Sequence, residues 1–510
     1  MLTALIVLPL LAAALIGTID PRRGRLLRAG ALGSTGLIFL AAAWMWARFS
    51  VGEGGLQFEQ RHSWVPAIGM TYHLGVDGLS VSLVALTAFL FPIALGTAFA
   101  HVQDRLKPFI ITALLLETGM LGTFMAQDLV LFYVFWEAML IPMYFLIALW
   151  GGPARAHAAI KFLLYTMAGS VLMLLAIIAV YLQGGRTFDL TPLLAGPLGF
   201  APAVQRLLFL AFAVAFAIKM PVWPLHTWLP DAYAEAPPAV TILLASIMAK
   251  AGAYGLLRFC LPFFPQASRE FGPLLSVLAV IGIVYGGAVA WTQGDMRRLF
   301  AYGSMSHMGF ILLGIFSLNI VGVQGSLIQM INHGVSTGGL FLLAGLLLTR
   351  TGRSRTDGYG GIAKAVPALA AAALIVVVSS LALPGTNGFI GEFLILLGAF
   401  QARPVDAALA TGGIVVAAAY LLAFVGRVFH GPLRPDLSRL ADLSAREYAV
   451  LVPLILMIFW VGIFPRPFLA RSEATVRALL ARVPAAAAAA PAAAAQAGLP
   501  RFPAARVAVR

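Results

Sequence analysis

A single cysteine, Cys260, stands in a chain of 510 residues. One thiol can neither close an internal disulfide nor hold an iron–sulfur cluster by itself. Charge is also scarce: 11% of residues are Asp, Glu, Lys or Arg, against about 25% in soluble domains. There is no P-loop and no His/Cys spacing of a metal site. Nucleotide, metal or redox chemistry, if it matters to this chain, belongs to partners. What the chain has instead is apolar sequence, 61% of it. Lipid is then the solvent that decides the fold, and the expectation is an all-α polytopic membrane protein.

Acidic residues are the scarcer charged class, 20 against 34 basic, for a net charge of +14. In a soluble protein that excess would suggest nucleic acid. Here the Lys and Arg sit mostly in short loops, so no nucleic-acid partner is expected. The first apolar run, Leu2–Ile19, has no basic residue before it, and Arg22, Arg23, Arg25 and Arg28 follow. That is the reverse of a secretory signal, and it predicts an uncleaved first helix with its N-terminus outside the cytoplasm. Hydropathy gives about fourteen spans of the required ~20 residues. They start near residues 2, 29, 74, 107, 128, 158, 206, 237, 273, 297, 322, 363, 408 and 447. Basic residues favour the loops after odd-numbered spans, which puts those loops in the cytoplasm and both termini outside. From Val483 the chain is Ala- and Pro-rich, and 483–510 is expected to be disordered.

Two spans look broken. In the seventh, Pro221, Pro224 and Pro230 follow Lys219; in the twelfth, residues 383–388 (LPGTNG) interrupt an apolar run before Glu392. Paired breaks point to inverted repeats with a site near mid-membrane, and an offset of five spans gives the second unit the opposite direction. Lys219 follows the apolar run Leu207–Ile218. An ammonium at the centre of a span costs at least ~2.5–3.5 kcal/mol, so it normally faces a bundle interior or a wet cavity on an ion or proton pathway.

Other polar residues lie in separate apolar stretches. Glu137, in FWEAMLIPMY, is either a protonated acid bonded within the bundle or the partner that holds Lys219 charged. Lys250 is mid-span, too far from either interface to snorkel, with Ser246 and Tyr254 four residues to either side on one face. His307 has Ser304 and Ser306 beside it, and His333 has Ser336 and Thr337 one turn on. Either histidine can be a packing residue or a relay that accepts at one nitrogen and donates at the other. Glu392 reads as a proton acceptor on the exit side rather than a helix cap. Glu117 can tune Glu137 or merely pack, and His226 can link the cytoplasmic face to the chain. His157, Lys161 and Tyr165 share a face near the cytoplasmic end of the sixth span, where snorkelling would also account for the lysine.

Four segments carry a resemblance: FWEAMLIPMYFLIALWGG (135–152), FAIKMPVWPLHTWLPDAYAEAP (216–237), DMRRLFAYGSMSHMGF (295–310) and LPGTNGFIGEFLILLGAF (383–400). In that order they resemble the antiporter-like membrane subunits of respiratory complex I, over a range from about Leu2 to Phe468. The match is closest to the M-like subunits, because the L-like and N-like subunits and the Mrp antiporter subunits typically carry lysine where this chain has Glu392. The resemblance implies about 14 transmembrane helices with two inverted five-helix repeats, each with a broken helix. The domains are then 1–106 (helices 1–3), 107–262 (first repeat), 273–430 (second repeat), 447–466 (helix 14) and the 483–510 tail.

The resemblance further implies a proton channel through Glu137, Lys219, Lys250 and Glu392, bridged by histidines and water. The expected order is entry at the cytoplasm, Lys219 modulated by Glu137, passage by His307 and His333 to Lys250, and exit at Glu392. The implied partners are the L-like and N-like membrane-arm subunits and the lipid bilayer of the inner (cytoplasmic) membrane. NADH, FMN, iron–sulfur clusters and quinone would sit on partner subunits, with no cofactor on this chain. The rival readings are an Mrp-type cation/proton antiporter subunit and a membrane-bound hydrogenase subunit. One segment departs from the family's usual pattern: DAYAEAPPAVTI (231–242) has Tyr233 where histidine is common and Val240 where glycine is usual. That puts a histidine-based entry at this loop in question.

Overall fold

The computed structural model describes residues 1–196 and 198–483. Nearly all of the 483–510 tail therefore lies outside the described residues. Helices dominate because a chain in hydrocarbon must satisfy its own backbone. In chain order, α1 (Leu2–Thr18) and α2 (Gly24–Arg48) lead into a hairpin of β1 (Gln57–Val65) and β2 (Met70–Val76). Then come α3 (Val81–His101), α4 (Leu106–Met125), α5 (Leu129–Ala138), α6 (Leu140–Trp150), α7 (Arg155–Gln183) and the one-turn α8 (Leu190–Leu193). The middle of the chain holds α9 (Pro202–Lys219), α10 (Leu229–Glu235), α11 (Pro238–Leu243), α12 (Ala249–Gly255) and α13 (Leu261–Phe263). The rest is α14 (Pro265–Thr292), α15 (Met296–Ile315), α16 (Ile320–Thr351), α17 (Pro367–Ser380), α18 (Asn387–Ala402), α19 (Pro404–Phe429), α20 (Ala445–Ile463) and α21 (Arg466–Ala481). Among the described residues, 11 helical stretches are long and apolar enough to cross a membrane, and α1, α17 and α18 are shorter apolar helices.

The all-α expectation needs one correction. Residues 57–76 form an antiparallel hairpin, so the third span begins at Val81 and not near 74. The apolar residues at 74–76 belong to a strand that ends at the Asp77-Gly78 turn. Gly69 closes the hairpin with φ +65°, and a Cβ there would overlap the Arg186 carbonyl oxygen. The hairpin is docked by charge. His73 lies between Glu59 (2.9 Å) and Asp189 (3.1 Å), and Arg61 reaches the same Asp189 at 2.8 Å. On the same side, α21 packs under the hairpin: Gly78 N–H donates to Thr475 (3.0 Å), and the Arg471 guanidinium covers Trp46 at 3.5 Å.

The core follows the sequence of two stretches. The run 238–263 is buried throughout its apolar window, and α16 nearly so. Around them the lipid-facing helices keep exposed Leu, Ile and Val, such as Leu175, Leu207 and Val415.

Candidate functional site

Both sequence breaks are real. The first helix half, α9, ends at Lys219 because Pro221 and Pro224 have no N–H to donate to the turn before them. Lys219 is thus the last residue of a half-helix and not the middle of a continuous span. The freed Ile218 carbonyl is taken up by Trp228 Nε1 at 2.9 Å. The Lys219 ammonium is buried and, among the described residues, has no hydrogen-bond partner. It lies 4.3 Å from the centre of the Trp136 ring, a cation–π contact. Glu137, next to that ring at the joint between α5 and α6, is the acidic residue acting on Lys219 through space. Their pairing is not a hydrogen-bonded one, since Glu137 Oε1 is also unpartnered. Glu137 is only half-buried in the chain. Glu117 is fully buried on α4, and neither of its oxygens has a partner among the described residues.

Lys250 lies on α12 between two π-helical turns, Leu244–Met248 and Leu256–Cys260, which the sequence pattern did not reveal. A π-turn redirects backbone carbonyls, and such turns recur at functional sites. Here Ala245 O, five residues back, accepts from Lys250 Nζ at 2.6 Å. The same ammonium lies 2.5 Å from His333 Nδ1 on α16. The His333 and His307 rings are 5.7 Å apart, and His307 Nδ1 on α15 is 2.7 Å from Glu392 Oε1 on α18. All four side chains are buried. The expected order placed the histidines between Lys219 and Lys250; the geometry places them between Lys250 and Glu392.

The second break, between α17 and α18, is pinned by amides. Asn332 Nδ2 donates to the Asn387 carbonyl (2.7 Å), Asn387 Nδ2 returns to the Asn332 carbonyl (3.2 Å), and Gln329 Nε2 donates to Glu392 (3.1 Å). Ser379 donates to Asn387 Oδ1 at 2.5 Å. Gln329, Asn332, Ser379 and Glu392, with both histidines, line a small polar cavity with a volume of about 10 Å³. That is room for roughly one water.

His226 lies inside the first break, buried, with Nδ1 unpartnered among the described residues and its ring edge against Tyr285 and Tyr302. Lys161 bonds Asp231 on α10 at 2.7 Å, and Arg298 reaches the other oxygen of Asp231 at 2.9 Å. Tyr165 accepts from Thr227 at 2.6 Å, whereas His157 is exposed. Tyr233 is fully buried, and its hydroxyl has no partner among the described residues.

Residues 126–417, which hold seven of the eight candidate residues, all but Glu117, match the model of the NADH:quinone oxidoreductase/Mrp antiporter transmembrane family. The chain belongs to this family. It is 42% identical over 481 residues to NADH-quinone oxidoreductase subunit M of Rhodobacter capsulatus, covering 91% of this chain and 93% of that one. A chain of respiratory complex I from Thermus thermophilus superposes with a TM-score of 0.88 at 35% identity, over 95% of this chain and 100% of that chain. A chain of the Mrp complex from a Dietzia species gives 0.84 at 21% identity, over 94% and 97%, which shows a shared fold.

Within this family fold the sequence reading missed several polar residues. Trp136 under Lys219 stood beside Glu137 in the FWEA run, where an aromatic next to an intramembrane acid was a usable signal. Arg258 is buried in the same helical run as Lys250, eight residues on. Gln329, Asn332 and Asn387 carried no signal of their own, because an uncharged amide in an apolar run marks packing as readily as function.

Proposed function

We propose that this chain is a proton-translocating membrane subunit of an NADH:quinone oxidoreductase, multi-pass in the inner (cytoplasmic) membrane. The observation that carries the mechanism is the buried run from Lys250 through His333 and His307 to Glu392, on four different helices. Its two contacts are direct, and the two imidazoles face each other across a gap that one shift of a ring or a water can close. Lys219, unpartnered and watched by Glu137, is the loading site. Glu137 sets its charge, His226 feeds it from the cytoplasmic face, Glu117 tunes Glu137, and Glu392 releases the proton. Moving one charge against about 100 mV costs about 2.3 kcal/mol. A single hydrogen bond to a charged group is worth about 1.5–3 kcal/mol. Making or breaking one contact, such as Lys250–His333, is therefore on the scale the work requires.

Fourteen spans follow when α1, α15 and the broken pair α17/α18 join the 11 long apolar stretches. Two inverted repeats, 107–262 and 273–430, are supported by matching details. Asp128 and Asp295 each cap the helix they precede, accepting from two amides, and each pairs in an isolated antiparallel bridge, with Asp189 and Arg355. The N-terminal helices (1–106) and helix 14 (447–466) flank the repeats. We place both termini outside the cytoplasm. The half-exposed Glu137 fits a lateral face covered by a neighbouring L-like or N-like subunit. NADH, FMN, iron–sulfur clusters and quinone belong on the partners.

Two measurements test this. Purification through a tag on this chain is expected to yield rotenone- or piericidin-sensitive NADH:quinone activity with flavin and iron–sulfur subunits. Small membrane subunits alone, with sodium-dependent proton flux, would move the reading to an antiporter, and a nickel–iron partner to a hydrogenase. In the assembled complex, Lys219→Ala and Glu137→Ala should each sharply reduce NADH-driven vesicle acidification and coupled quinone reduction. Normal pumping in both variants would sink the channel.

A further inference from the structure

Lys250 has a second polar neighbourhood that the run toward Glu392 does not use. Lys250, Tyr254 and Arg258 follow one another at intervals of four along the buried run 238–263, which lines them up on one face. Arg258 Nε donates to the Tyr254 hydroxyl at 3.0 Å, and that hydroxyl donates to the Phe124 carbonyl at 3.4 Å. The Arg258 guanidinium grips Asp77 at both oxygens, Nη1–Oδ2 at 2.7 Å and Nη2–Oδ1 at 2.6 Å. Asp77 sits where the hairpin joins α3, fixed by the Leu79 amide at 3.0 Å. Beyond the pair lies a pocket of about 360 Å³ on the hairpin side, lined by both partners together with Glu59, Gln127, Thr191 and Arg482.

The sequence of groups is thus pocket, ion pair, tyrosine, lysine. A buried ion pair is poor evidence of a stabilising role, because apolar residues of similar volume often do as well. An arginine stays protonated and offers only donors, so it cannot relay a proton. A fixed cation at a constriction instead raises an electrostatic barrier to incoming protons. The second π-turn, Leu256–Cys260, carries Arg258 and aims it at Asp77.

We propose that the Asp77–Arg258 pair is an electrostatic seal that separates Lys250 from the pocket on the hairpin face and blocks proton return along the Tyr254 side. This rests on the reading of Lys250 as a proton carrier. Arg258 is a positioning residue of the pathway and carries no proton itself.

The test uses the whole complex in liposomes loaded with a pH-sensitive dye. Redox turnover is blocked by inhibitor, and a potassium gradient with valinomycin drives protons inward from the hairpin face. Asp77→Asn combined with Arg258→Gln keeps hydrogen bonding, removes both charges and strands neither partner. The double variant is expected to raise passive proton influx several-fold. Adding Lys250→Ala should return the influx to the wild-type rate, and Arg258→Lys alone should stay tight. Wild-type influx in the double variant, or a leak that survives Lys250→Ala, would overturn the seal. NADH:quinone activity in the same liposomes reports separately on the functional reading, because the leak assay needs no turnover.

Discussion

At the scale of single residues, the two lysines of the site are held in opposite ways. Lys250 has a carbonyl and an imidazole as partners, whereas Lys219, among the described residues, has an aromatic face and a nearby carboxylate and no hydrogen bond. In the proposed pathway His307 is the link to the exit, because it bonds the Glu392 carboxylate. Replacing His307 with Leu fills the space but breaks the run. A positioned proton-transfer group typically contributes about 100-fold or more, so NADH-driven acidification should fall on that order while the complex still assembles. Unchanged pumping in an assembled His307→Leu complex would remove the histidines from the pathway. The titratable members of this run were legible in the sequence because a charge or imidazole in an apolar stretch stands out. Their order was not, since which helix faces which depends on packing that no local spacing encodes.

At the scale of elements, the second break works because α16 and α18 approach closely. Gly391 lies where they touch: a Cβ there would overlap Gln329 Oε1 and come within 2.8 Å of Gln329 Cβ and 3.0 Å of Asn332 Nδ2. Gly391→Ala would push on the same amides that hold Glu392 and pin the break. Overpacking of this kind costs about 1–3 kcal/mol. The thermal midpoint of the purified complex should therefore drop, whereas Gly412→Ala, with nothing within 4 Å, should leave it unchanged. Equal midpoints for the two variants would mean that α16 and α18 are not tightly locked. The breaks themselves were readable, since proline removes donors whatever the tertiary context. The π-turns around Lys250 were not, because they arise where a helix yields to its neighbours and leave no residue signature in ILLASIMAKAGAYGLLRF. The hairpin was hidden for a related reason: the apolar residues at its end, 74–76, run close to a true span, and hydropathy does not distinguish a strand lying against a helix bundle from the start of a helix.

At the scale of the whole molecule, polar groups are distributed along the chain with a clear division. The hairpin gathers Glu59, Arg61 and His73 around Asp189 on one face. Lys161, Asp231 and Arg298 gather near the other end of the first break. The buried interior holds Lys219, Lys250, His307, His333 and Glu392 together with the Asp77–Arg258 ion pair. The scarcity of cysteine noted at the outset has a practical consequence. Cys260 is fully buried inside a helical run, so the chain presents no thiol to a reagent in water. A cysteine introduced anywhere on the surface would then report alone. In intact cells a membrane-impermeant maleimide should label Ser63→Cys on the hairpin, and should reach Ala154→Cys between α6 and α7 only after lysis. The reverse pattern would invert the orientation of every element in the chain, and with it the direction in which the proton is carried.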